Sequence, residues 1–274
     1  MSYDKDYPIL SIIVPIYNRT NFLKECFESV FYQKCKLEQS IEIIVMDDCS
    51  DKINCQKSIT EIVNTLDKSL IMNNFKISII RNKVNLGEYK NVNVGLKKSK
   101  GIWKFILHDD DYILDNFIEV LSKYLYVNKQ KEEIGYICFG YKNITEDNVT
   151  TFEKNNMTKE GLWPKHMYQM FLYANPMHVH CCIYYYKTFE NIGYFNENIK
   201  YYNDWEFFRR SYMNVLKWYY VPTTLVIYRK HGMDTQSGER DNDDNKIYLV
   251  KMFIEGCKYL PETDWYNSAK YIFK

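Results

Sequence analysis

The chain has 274 residues, of which 46% are hydrophobic and 26% are charged, and its formal net charge at pH 7 is +1. This length suffices for a large hydrophobic core, and the balanced charge excludes a general electrostatic attraction to nucleic acids or anionic membranes. The eight cysteines include no Cys-x-x-Cys pair, which argues against a zinc site or a disulfide framework and fits a reducing compartment.

The first 111 residues alternate between apolar runs typical of buried strands and apolar stripes typical of amphipathic helices. Strands are predicted at Leu10–Ile16, 41–46, 77–80 and 102–107, and helices at Leu23–Phe31, 59–66 and Glu88–Lys98. This alternation is typical of an open parallel sheet with helices on both faces. Ligands of such sheets bind beyond the carboxyl ends of the strands. Those ends carry residues 15–18, 47–48 and 108–111, so a binding site is expected there.

The fourth predicted strand ends in the run His108-Asp109-Asp110-Asp111. Three adjacent carboxylates repel one another, so a fold that keeps them together has to supply positive charge. A divalent cation is the natural source, and hard oxygen ligands favour Mg²⁺ or Mn²⁺. The alternative is a solvated acidic turn that caps the following helix.

The regular alternation ends after residue 111. Asp115 is expected to cap a helix with four apolar residues between 117 and 125 facing inward. Further strands are predicted at 136–139, 181–186, 218–221 and 224–228, with an irregular stretch at 141–176, a loop at 195–203 and a helix at 204–214. The tail, 241–274, has helical periodicity and could pack on the body or on a second subunit.

Several common enzyme motifs are missing from the sequence, namely G-x-G-x-x-G, G-x-x-x-x-G-K-[ST], H-E-x-x-H and G-x-S-x-G. A dinucleotide oxidoreductase, a P-loop enzyme and a serine hydrolase are therefore disfavoured. The remaining pattern is a sheet edge with carboxylates and an expected divalent ion. A diphosphate suits that ion, because the ion neutralises charge on the leaving group.

Six sequence blocks follow one another between about residues 9 and 235. They are 11–19 (SIIVPIYNR), 44–51 (IVMDDCSD), Asn85-Leu86-Gly87 with Asn93, Gly95 and Gly101, His108-Asp109-Asp110-Asp111, Asn203-Asp204-Trp205-Glu206 with Arg209, and Tyr228-Arg229-Lys230-His231. In this order the blocks resemble those of the family 2 glycosyltransferases. The resemblance implies an α/β fold of the GT-A type, an αβα sandwich on a mostly parallel open sheet. We expect one catalytic domain over 1–240, with a nucleotide-sugar half (1–111) and an acceptor half (112–240), followed by the tail (241–274).

The resemblance also implies a nucleotide site. Its residues would be Pro15, Tyr17, Asn18, Asp48, Asn85 and Asp109. Tyr17 would stack on the base, and Asp48 would accept a hydrogen bond from it, which favours uracil. Asp109 would lie near the ribose or behind the metal ligands.

The implied chemistry is divided between a metal ion and a base. Asp110 would bind Mn²⁺ or Mg²⁺ at the diphosphate, and His231 in the last block is a second candidate ligand. Asp204 would act as the general base that takes the proton from the acceptor hydroxyl, with inversion at the anomeric carbon. Candidate contacts to the donor sugar or the acceptor are His108, Asp111, His180 and Trp205.

Three positions depart from the family pattern. His108 stands where the family's D-x-D region usually opens with Asp, which could alter metal preference. Val92 replaces a common Arg, so a phosphate or ribose contact could be missing. Asn203 replaces the acidic neighbour of the expected base.

The function expected from the sequence is a metal-dependent, inverting hexosyltransferase that uses a nucleotide-diphosphate sugar, with a UDP-sugar favoured. The acceptor would be a hydroxyl of a glycan or of a lipid-linked molecule. One alternative is a catalytically inactive binding or scaffold protein with the same fold. Another is a sugar nucleotidyltransferase, which would ordinarily need a Gly-rich loop and a Lys after the first strand, and residues 15–19 offer neither.

The sequence also bears on where the protein is located and on what it contacts. No apolar run reaches membrane-spanning length, and the polar segment 1–8 does not resemble a signal peptide. A cytoplasmic protein without a nucleic-acid partner is therefore expected. It could still contact a membrane peripherally, and it could form an oligomer through the tail.

Overall fold

The computed structural model describes residues 7–126 and 134–231, apart from 156, 158, 173, 200, 201 and 215, together with residues 247, 250, 251 and 254. Its strands are β1 (Leu10–Ile16), β2 (Ile41–Asp47), β3 (Phe75–Arg81), β4 (Trp103–Ile106), β5 (Tyr112–Ile113), β6 (Ile134–Thr145), β7 (Thr150–Lys154), β8 (Gly161–Leu162), β9 (Cys182–Tyr185) and β10 (Lys217–Lys230). Its helices are α1 (Leu23–Phe31), α2 (Cys55–Thr65), α3 (Glu88–Lys98), α4 (Phe117–Leu125), α5 (Lys165–Met170), α6 (Tyr186–Ile192) and α7 (Asn203–Met213). Short 3₁₀ turns lie at Lys68–Leu70 and Val179–Cys181.

The strands join in one sheet with the order β3-β2-β1-β4-β9-β6-β10-β5, to which β7 adds beside β6 and β8 beside β10. The four strands of the first half are all parallel. β9 runs antiparallel to both β4 and β6, while β6 and β10 are parallel. The α/β sheet expected from the sequence is therefore present, with a parallel first half and a mixed second half.

Residues of β1 pack on both faces of the sheet. Ile12 and Val14 belong to one apolar cluster with α1, α2 and α4, whereas Ile13 belongs to a second cluster with α3 and α7. Successive side chains of a strand point to opposite faces, so a run of apolar residues without polar interruptions suits a strand covered on both sides. The second cluster extends through the stacked rings of Tyr136 and Trp218, whose centroids lie 4.1 Å apart.

Two glycines permit close packing around β1. A Cβ added to Gly95 of α3 would lie 2.7 Å from Ile13 Cγ2, and one added to Gly101 would lie 2.4 Å from the backbone nitrogen of Ser11. The Gly101 amide donates to Ser11 Oγ at 2.7 Å. These contacts give a physical reason for Gly95 and Gly101, two of the three glycines in the third sequence block.

The structure corrects three local predictions, which concern the cap of α4, the stretch 141–176 and the strands on either side of Pro222. Asn116, not Asp115, is the N-cap residue of α4, and it makes no side-chain capping bond. The Asp115 carboxylate instead pairs with Lys34 Nζ at 2.6 Å. The stretch 141–176 is less irregular than expected, because it holds the end of β6 together with β7, β8 and α5.

The two strands predicted around Pro222 form one long strand, β10. Its register against β6 shifts between Val221 and Thr224. Proline cannot donate a ladder hydrogen bond and is tolerated at such irregularities. Pro222, which predicted a break between two strands, therefore lies at an irregularity within one strand.

The tail expected to pack on the body or on a second subunit falls almost entirely outside the described residues. The four residues described there, at 247, 250, 251 and 254, are helical. Within the part of the chain that the structure describes, no helix combines the length and the apolar character needed to cross a membrane.

Candidate active site

The carboxyl ends of β1, β2 and β4 meet at one edge of the sheet. Ile16 at the end of β1 is in register with Asp47 at the end of β2, and the Leu107 amide beyond β4 donates to the Ile13 carbonyl at 3.0 Å. The residues that follow these strands are therefore brought together, as the sequence predicts.

Asp48 organises the loop after β3. Its Oδ1 accepts hydrogen bonds from Asn82 Nδ2 at 2.8 Å and from the Leu86 amide at 2.9 Å, and its Oδ2 accepts from the Gly87 amide at 2.8 Å. Gly87 has a φ of +83°, which favours glycine. The buried carboxylate thus holds the turn that contains Asn85, and its predicted contact with a base would have to share these oxygens.

Tyr17 is 49% exposed directly after β1. Asn18 beside it has a φ of +54° and joins the loops that follow β1 and β2. Its Oδ1 accepts from the amides of Asp51 and Lys52, both at 2.9 Å. Pro15 is buried in β1. Tyr17 therefore has the exposure that stacking on a base requires. Asn18 has a structural role, because it holds the loops after β1 and β2 together.

Arg19 lies between the first two carboxylates of the acidic run. Its Nη2 is 2.5 Å from Asp109 Oδ1 and 2.8 Å from Asp110 Oδ2. His231 Nε2 lies 2.9 Å from the same Asp110 oxygen and 3.2 Å from Arg19 Nη1. The two predicted metal ligands, Asp110 and His231, thus face one point, and a guanidinium group meets them there.

Arg229 anchors the acidic run from the opposite side. Its backbone amide donates to Asp111 Oδ1 at 2.9 Å, and its Nε donates to the Asp110 carbonyl at 3.2 Å. The buried guanidinium pairs with Glu25 at 2.5 Å and lies 4.6 Å from the ring centroid of Phe22. Arg19 and Arg229 lie in two of the blocks that resemble the family, but no role was predicted for either. The need for positive charge beside three carboxylates was the signal that could have identified them.

Burial and charge set the protonation of the three aspartates in different ways. Burial raises the pKa of Asp109 to about 6, against the opposing effect of Arg19. Burial also acts to raise the pKa of Asp110, but Arg19, His108 and His231 outweigh it, and the pKa falls below its usual range. Burial raises the pKa of Asp111 well above its usual range, and the charge of Asp110 adds to this effect. Asp110 is therefore the carboxylate best suited to remain charged.

Several carboxylate oxygens at this edge lack a hydrogen-bond partner. Asp109 Oδ2, Asp110 Oδ1 and Asp111 Oδ2 are buried and have no hydrogen-bond partner. A buried acceptor without a partner is costly, and carboxylate oxygens are the ligands that Mg²⁺ and Mn²⁺ prefer. The donor set around Asp110 and His231 therefore fits a divalent ion.

The predicted sugar contacts His108, Asp111 and His180 form a separate group. One ligand atom from each lies within 4.8 Å of the others. Asp111 and His180 are almost fully buried, so in this structure they face one another more than open solvent. Burial acts to lower the pKa of His108, but Glu88 and the nearby aspartates raise it to about 10.

Asp204 lies in the first turn of α7 and is half-buried. Its Oδ2 accepts from Asn175 Nδ2 at 2.9 Å, and its Oδ1 accepts from the Trp205 amide at 2.8 Å. Asn203, which replaces the family's acid, donates from Nδ2 to the carbonyls of Asn196 and Ile199 at 2.7 and 2.8 Å. It thereby fixes the loop that leads to the predicted base.

Trp205 does not offer a ring face to a sugar. It is 3% exposed, and its Nε1 donates to the Phe171 carbonyl at 2.7 Å. The expectation that it contacts the donor sugar or the acceptor is not met in this structure, because the ring is buried in the second apolar cluster. Val92 is likewise a core residue, with 1% exposure.

Comparison with known proteins places this geometry in context. A sequence profile described as "Glycosyl transferase family 2" matches residues 11–193. An uncharacterized glycosyltransferase from Haemophilus influenzae is 28% identical over 237 residues, which amount to 84% of this chain and 68% of that relative. The matched regions cover only 37% and 40% of two further relatives.

Two solved structures share the fold. S. aureus TarS 1-349, in complex with UDP-GlcNAc, has a TM-score of 0.67 at 18% identity, with 93% of this chain and 69% of TarS 1-349 covered. A mannosyltransferase from Pyrobaculum calidifontis, in complex with GDP-Man and Mn²⁺, has a TM-score of 0.60 at 14% identity, with 97% and 70% covered. These neighbours are GT-A glycosyltransferases, and the GT-A fold expected from the sequence is confirmed.

Proposed function

The chain belongs to glycosyl transferase family 2, and we propose that it transfers a glycosyl group from a nucleoside-diphosphate sugar to an acceptor hydroxyl. The observation that carries the proposal is the meeting of Asp110, His231 and, through Arg19, Asp109 at the carboxyl edge of the sheet, where the exposed Tyr17 follows β1. Two GT-A neighbours were solved with nucleotide sugars, UDP-GlcNAc in one and GDP-Man in the other, which supports this donor class.

The donor would lie along that edge, with its base against Tyr17 and its diphosphate beside Asp110. We propose Mn²⁺ or Mg²⁺ held by Asp110 and His231, and such an ion supplies positive charge to the departing nucleoside diphosphate. Arg19 would have to leave the Asp110 oxygen, and its guanidinium could then pair with a phosphate. A UDP-sugar remains the favoured donor, because Asp48 is predicted to accept a hydrogen bond from uracil.

Asp204 is the proposed general base. Its carboxylate accepts one amide hydrogen bond at each oxygen, and each carboxylate oxygen has a second lone pair that can accept a proton. It would take the proton of the acceptor hydroxyl as that oxygen attacks the anomeric carbon from the face opposite the nucleoside diphosphate. The carbon–oxygen bond to the diphosphate breaks as the new bond forms, and configuration inverts.

The proposed acceptor is the one predicted from the sequence, a hydroxyl of a glycan or of a lipid-linked molecule. Peripheral contact with a membrane and an oligomer formed through residues 241–274 stay predictions. Since the matching family is one of glycosyltransferases, the nucleotidyltransferase alternative has no support from the comparisons.

One specific observation favours a second candidate, an inactive nucleotide-binding protein. Arg19 already supplies a cation to Asp109 and Asp110, so the acidic pair is stable without a metal. Such a protein would bind nucleotide and release none from any donor sugar.

The test compares the wild type with Asp110→Asn, Asp204→Asn and the control Glu206→Gln, a second acid in the first turn of α7 that pairs with Arg210. Thermal shifts are measured with UDP, GDP, TDP and CDP, each with and without Mn²⁺, followed by nucleotide release from matching donor sugars. A ligand at 100 times its Kd should stabilise the folded protein by about 2.7 kcal/mol. Donor-sugar hydrolysis or transfer should fall about 10²- to 10⁴-fold in Asp204→Asn and persist in Glu206→Gln.

The outcomes separate the candidates. Loss of the metal-dependent shift in Asp110→Asn, together with nucleotide release by the wild type that falls in Asp204→Asn while nucleotide binding stays intact, supports the transferase. A shift without any nucleotide release from a full donor and acceptor panel supports the inactive protein. The absence of a shift with every nucleotide would contradict both.

A further inference from the structure

Behind the proposed diphosphate site lies a second group of metal-ligating side chains, made of His108, Asp111 and His180. We propose that these three residues bind a divalent transition-metal ion that is distinct from the cation at the diphosphate. Asp111 Oδ2 lies 3.8 Å from His180 Nδ1 and 3.9 Å from His108 Nδ1. Ligands that each lie about 2.0–2.2 Å from a zinc ion are separated by roughly 3–4 Å, so these two separations fit one shared ion, and all three ligand atoms lie within 4.8 Å of one another.

Several polar atoms of this group have no hydrogen-bond partner in the structure. Both ring nitrogens of His180 and the Oδ2 of Asp111 are buried without a hydrogen-bond partner, and the two residues are 2% and 1% exposed. Buried polar atoms are nearly always paired in proteins. An ion coordinated by His180 Nδ1 and Asp111 Oδ2 would satisfy one atom of each residue at once.

The surrounding structure holds each ligand in place. The other oxygen of Asp111 accepts from the Arg229 amide at 2.9 Å. The ring of His180 lies parallel to that of Tyr228, with centroids 4.9 Å apart and an angle of 5°. Glu88 Oε1 lies 3.3 Å from His108 Nε2, so Nδ1 is the nitrogen that faces Asp111. A carboxylate behind a ligating histidine is a recurring feature of metal sites, because it orients the ring and raises its basicity.

The composition of the group indicates the class of ion. Two imidazoles and one carboxylate favour Zn²⁺, Co²⁺ or Ni²⁺, whereas Mg²⁺ prefers oxygen ligands alone. The lack of a Cys-x-x-Cys pair argues against a zinc site built from cysteine thiolates. The group proposed here contains no cysteine. The ion would connect the end of β4 to the turn before β9, and so would fix the acidic run against its neighbouring strand.

The experiment measures metal content of the full-length chain without any nucleotide. The purified protein is stripped with a chelator, dialysed against Zn²⁺ or Co²⁺ and then against metal-free buffer, and assayed by elemental analysis and by the visible absorption of Co²⁺. We expect one equivalent in the wild type and in Asp110→Asn, and a loss of that equivalent in His180→Phe and in His108→Gln. His178→Phe is the matched control, because His178 stacks on His180 at 5.3 Å but is not a proposed ligand, and it should retain the ion.

Three results would overturn the proposal. The wild type could retain no Zn²⁺ or Co²⁺, His180→Phe could retain as much as the wild type, or Asp110→Asn alone could lose the ion, which would then belong to the diphosphate site. His180→Phe keeps an aromatic ring in the stack, and His108→Gln carries the test if the phenylalanine variant does not fold. Because no nucleotide is used, failure here leaves the proposed transfer untouched.

Discussion

At the scale of single residues, Arg19 has the largest consequence for function. Its guanidinium occupies the position between Asp109 and Asp110 where a divalent cation would neutralise the same charges. Two cations cannot share one carboxylate oxygen without repulsion. Arg19 and a metal ion at Asp110 are therefore competitors, and a nucleotide that draws Arg19 to its phosphates would favour the metal.

Removal of Arg19 should strengthen metal binding in the absence of nucleotide. We expect Arg19→Ala to bind Mn²⁺ about tenfold more tightly, which corresponds to about 1.4 kcal/mol and lies near the value of a hydrogen bond to a charged group. Calorimetric titration with Mn²⁺ measures the effect. Both proteins carry His180→Phe, which removes one ligand of the second proposed ion, so that Mn²⁺ binding at that site does not contribute. Arg81→Ala is the control, because Arg81 pairs with Asp47 and not with the acidic run. Equal or weaker Mn²⁺ binding in Arg19→Ala would contradict the competition.

At the scale of secondary-structure elements, the segment from α3 to β4 determines how the acidic run is delivered. Gly101 lets the chain pass directly over Ser11 of β1. Lys104 in β4 points back to the end of α3, where its Nζ donates to the Ser99 carbonyl at 3.0 Å and to Ser99 Oγ at 2.5 Å. The small residue and the buried amine thus both fix the start of β4.

Substitution of the two close-packed glycines should have unequal effects. In Gly101→Ala the new Cβ would meet the backbone of Ser11 at 2.4 Å, and overpacking of this kind costs about 1–3 kcal/mol or more. In Gly95→Ala the new Cβ meets side chains of Ile13 and Met46, and alanine favours a helix over glycine by about 1 kcal/mol. Chemical denaturation should therefore show the greater loss of stability for Gly101→Ala, and the reverse order would refute this account.

The pH dependence of stability should reveal the burial of Lys104. Burial lowers its pKa from 10.5 to about 8. Between these values the unfolded chain holds a proton that the folded chain has released, so the contribution of this residue to the free energy of unfolding rises with pH. The rise should reach about 3 kcal/mol at most.

Comparison with a variant isolates this contribution from the other titrating groups. The free energy of unfolding of the wild type, minus that of Lys104→Met, should increase from pH 8 to pH 10 in urea denaturation. The same difference taken with Lys100→Met, at an exposed position nearby, should stay flat. A flat difference for Lys104→Met as well would show that its amine is not buried in the folded state.

At the scale of the whole molecule, the two expected halves are joined by one sheet and by a buried polar link. Asn93 of α3 donates from Nδ2 to the Phe195 carbonyl at 2.9 Å and to Glu197 Oε1 at 2.8 Å, and its Oδ1 accepts from the Phe195 amide at 3.1 Å. The loop it holds leads to Asn203 and the proposed base, Asp204. The position of the base thus depends on a helix of the nucleotide half.

Asn93→Ala should reduce turnover more than nucleotide binding. Loss of the link leaves buried backbone groups unpaired, which costs about 1–3 kcal/mol, and it frees the loop before α7. Asn54→Ala is a suitable control, since Asn54 caps α2 through the Lys57 amide and its loss costs about 1 kcal/mol far from that loop. Nucleotide titration and product formation, measured on both variants, should show a fall in turnover only in Asn93→Ala. Equal turnover in the two variants would contradict the link.

Most of the first half could be predicted from the sequence, and less of the second. β1, α1 and α3 begin and end where their apolar patterns predict, because a strand buried on both faces and an amphipathic helix each leave a local signature. β7, β8 and α5 were missed, since short elements with mixed composition draw their stability from neighbours in the sheet. The cap at Asp115 was misplaced by one residue, because Lys34 competes for its carboxylate.

By itself, the sequence determined the α/β class, the edge of the sheet that carries the site, and the family, because each depends on local periodicity or on ordered short blocks. The partners of the acidic residues were decided only by the tertiary structure. Arg19 and His231 lie 212 residues apart yet both contact Asp110, and His180 lies close to Asp111 from the turn before β9. Such contacts are set by strand order and register, and a linear pattern does not encode which distant side chain will neutralise a buried charge.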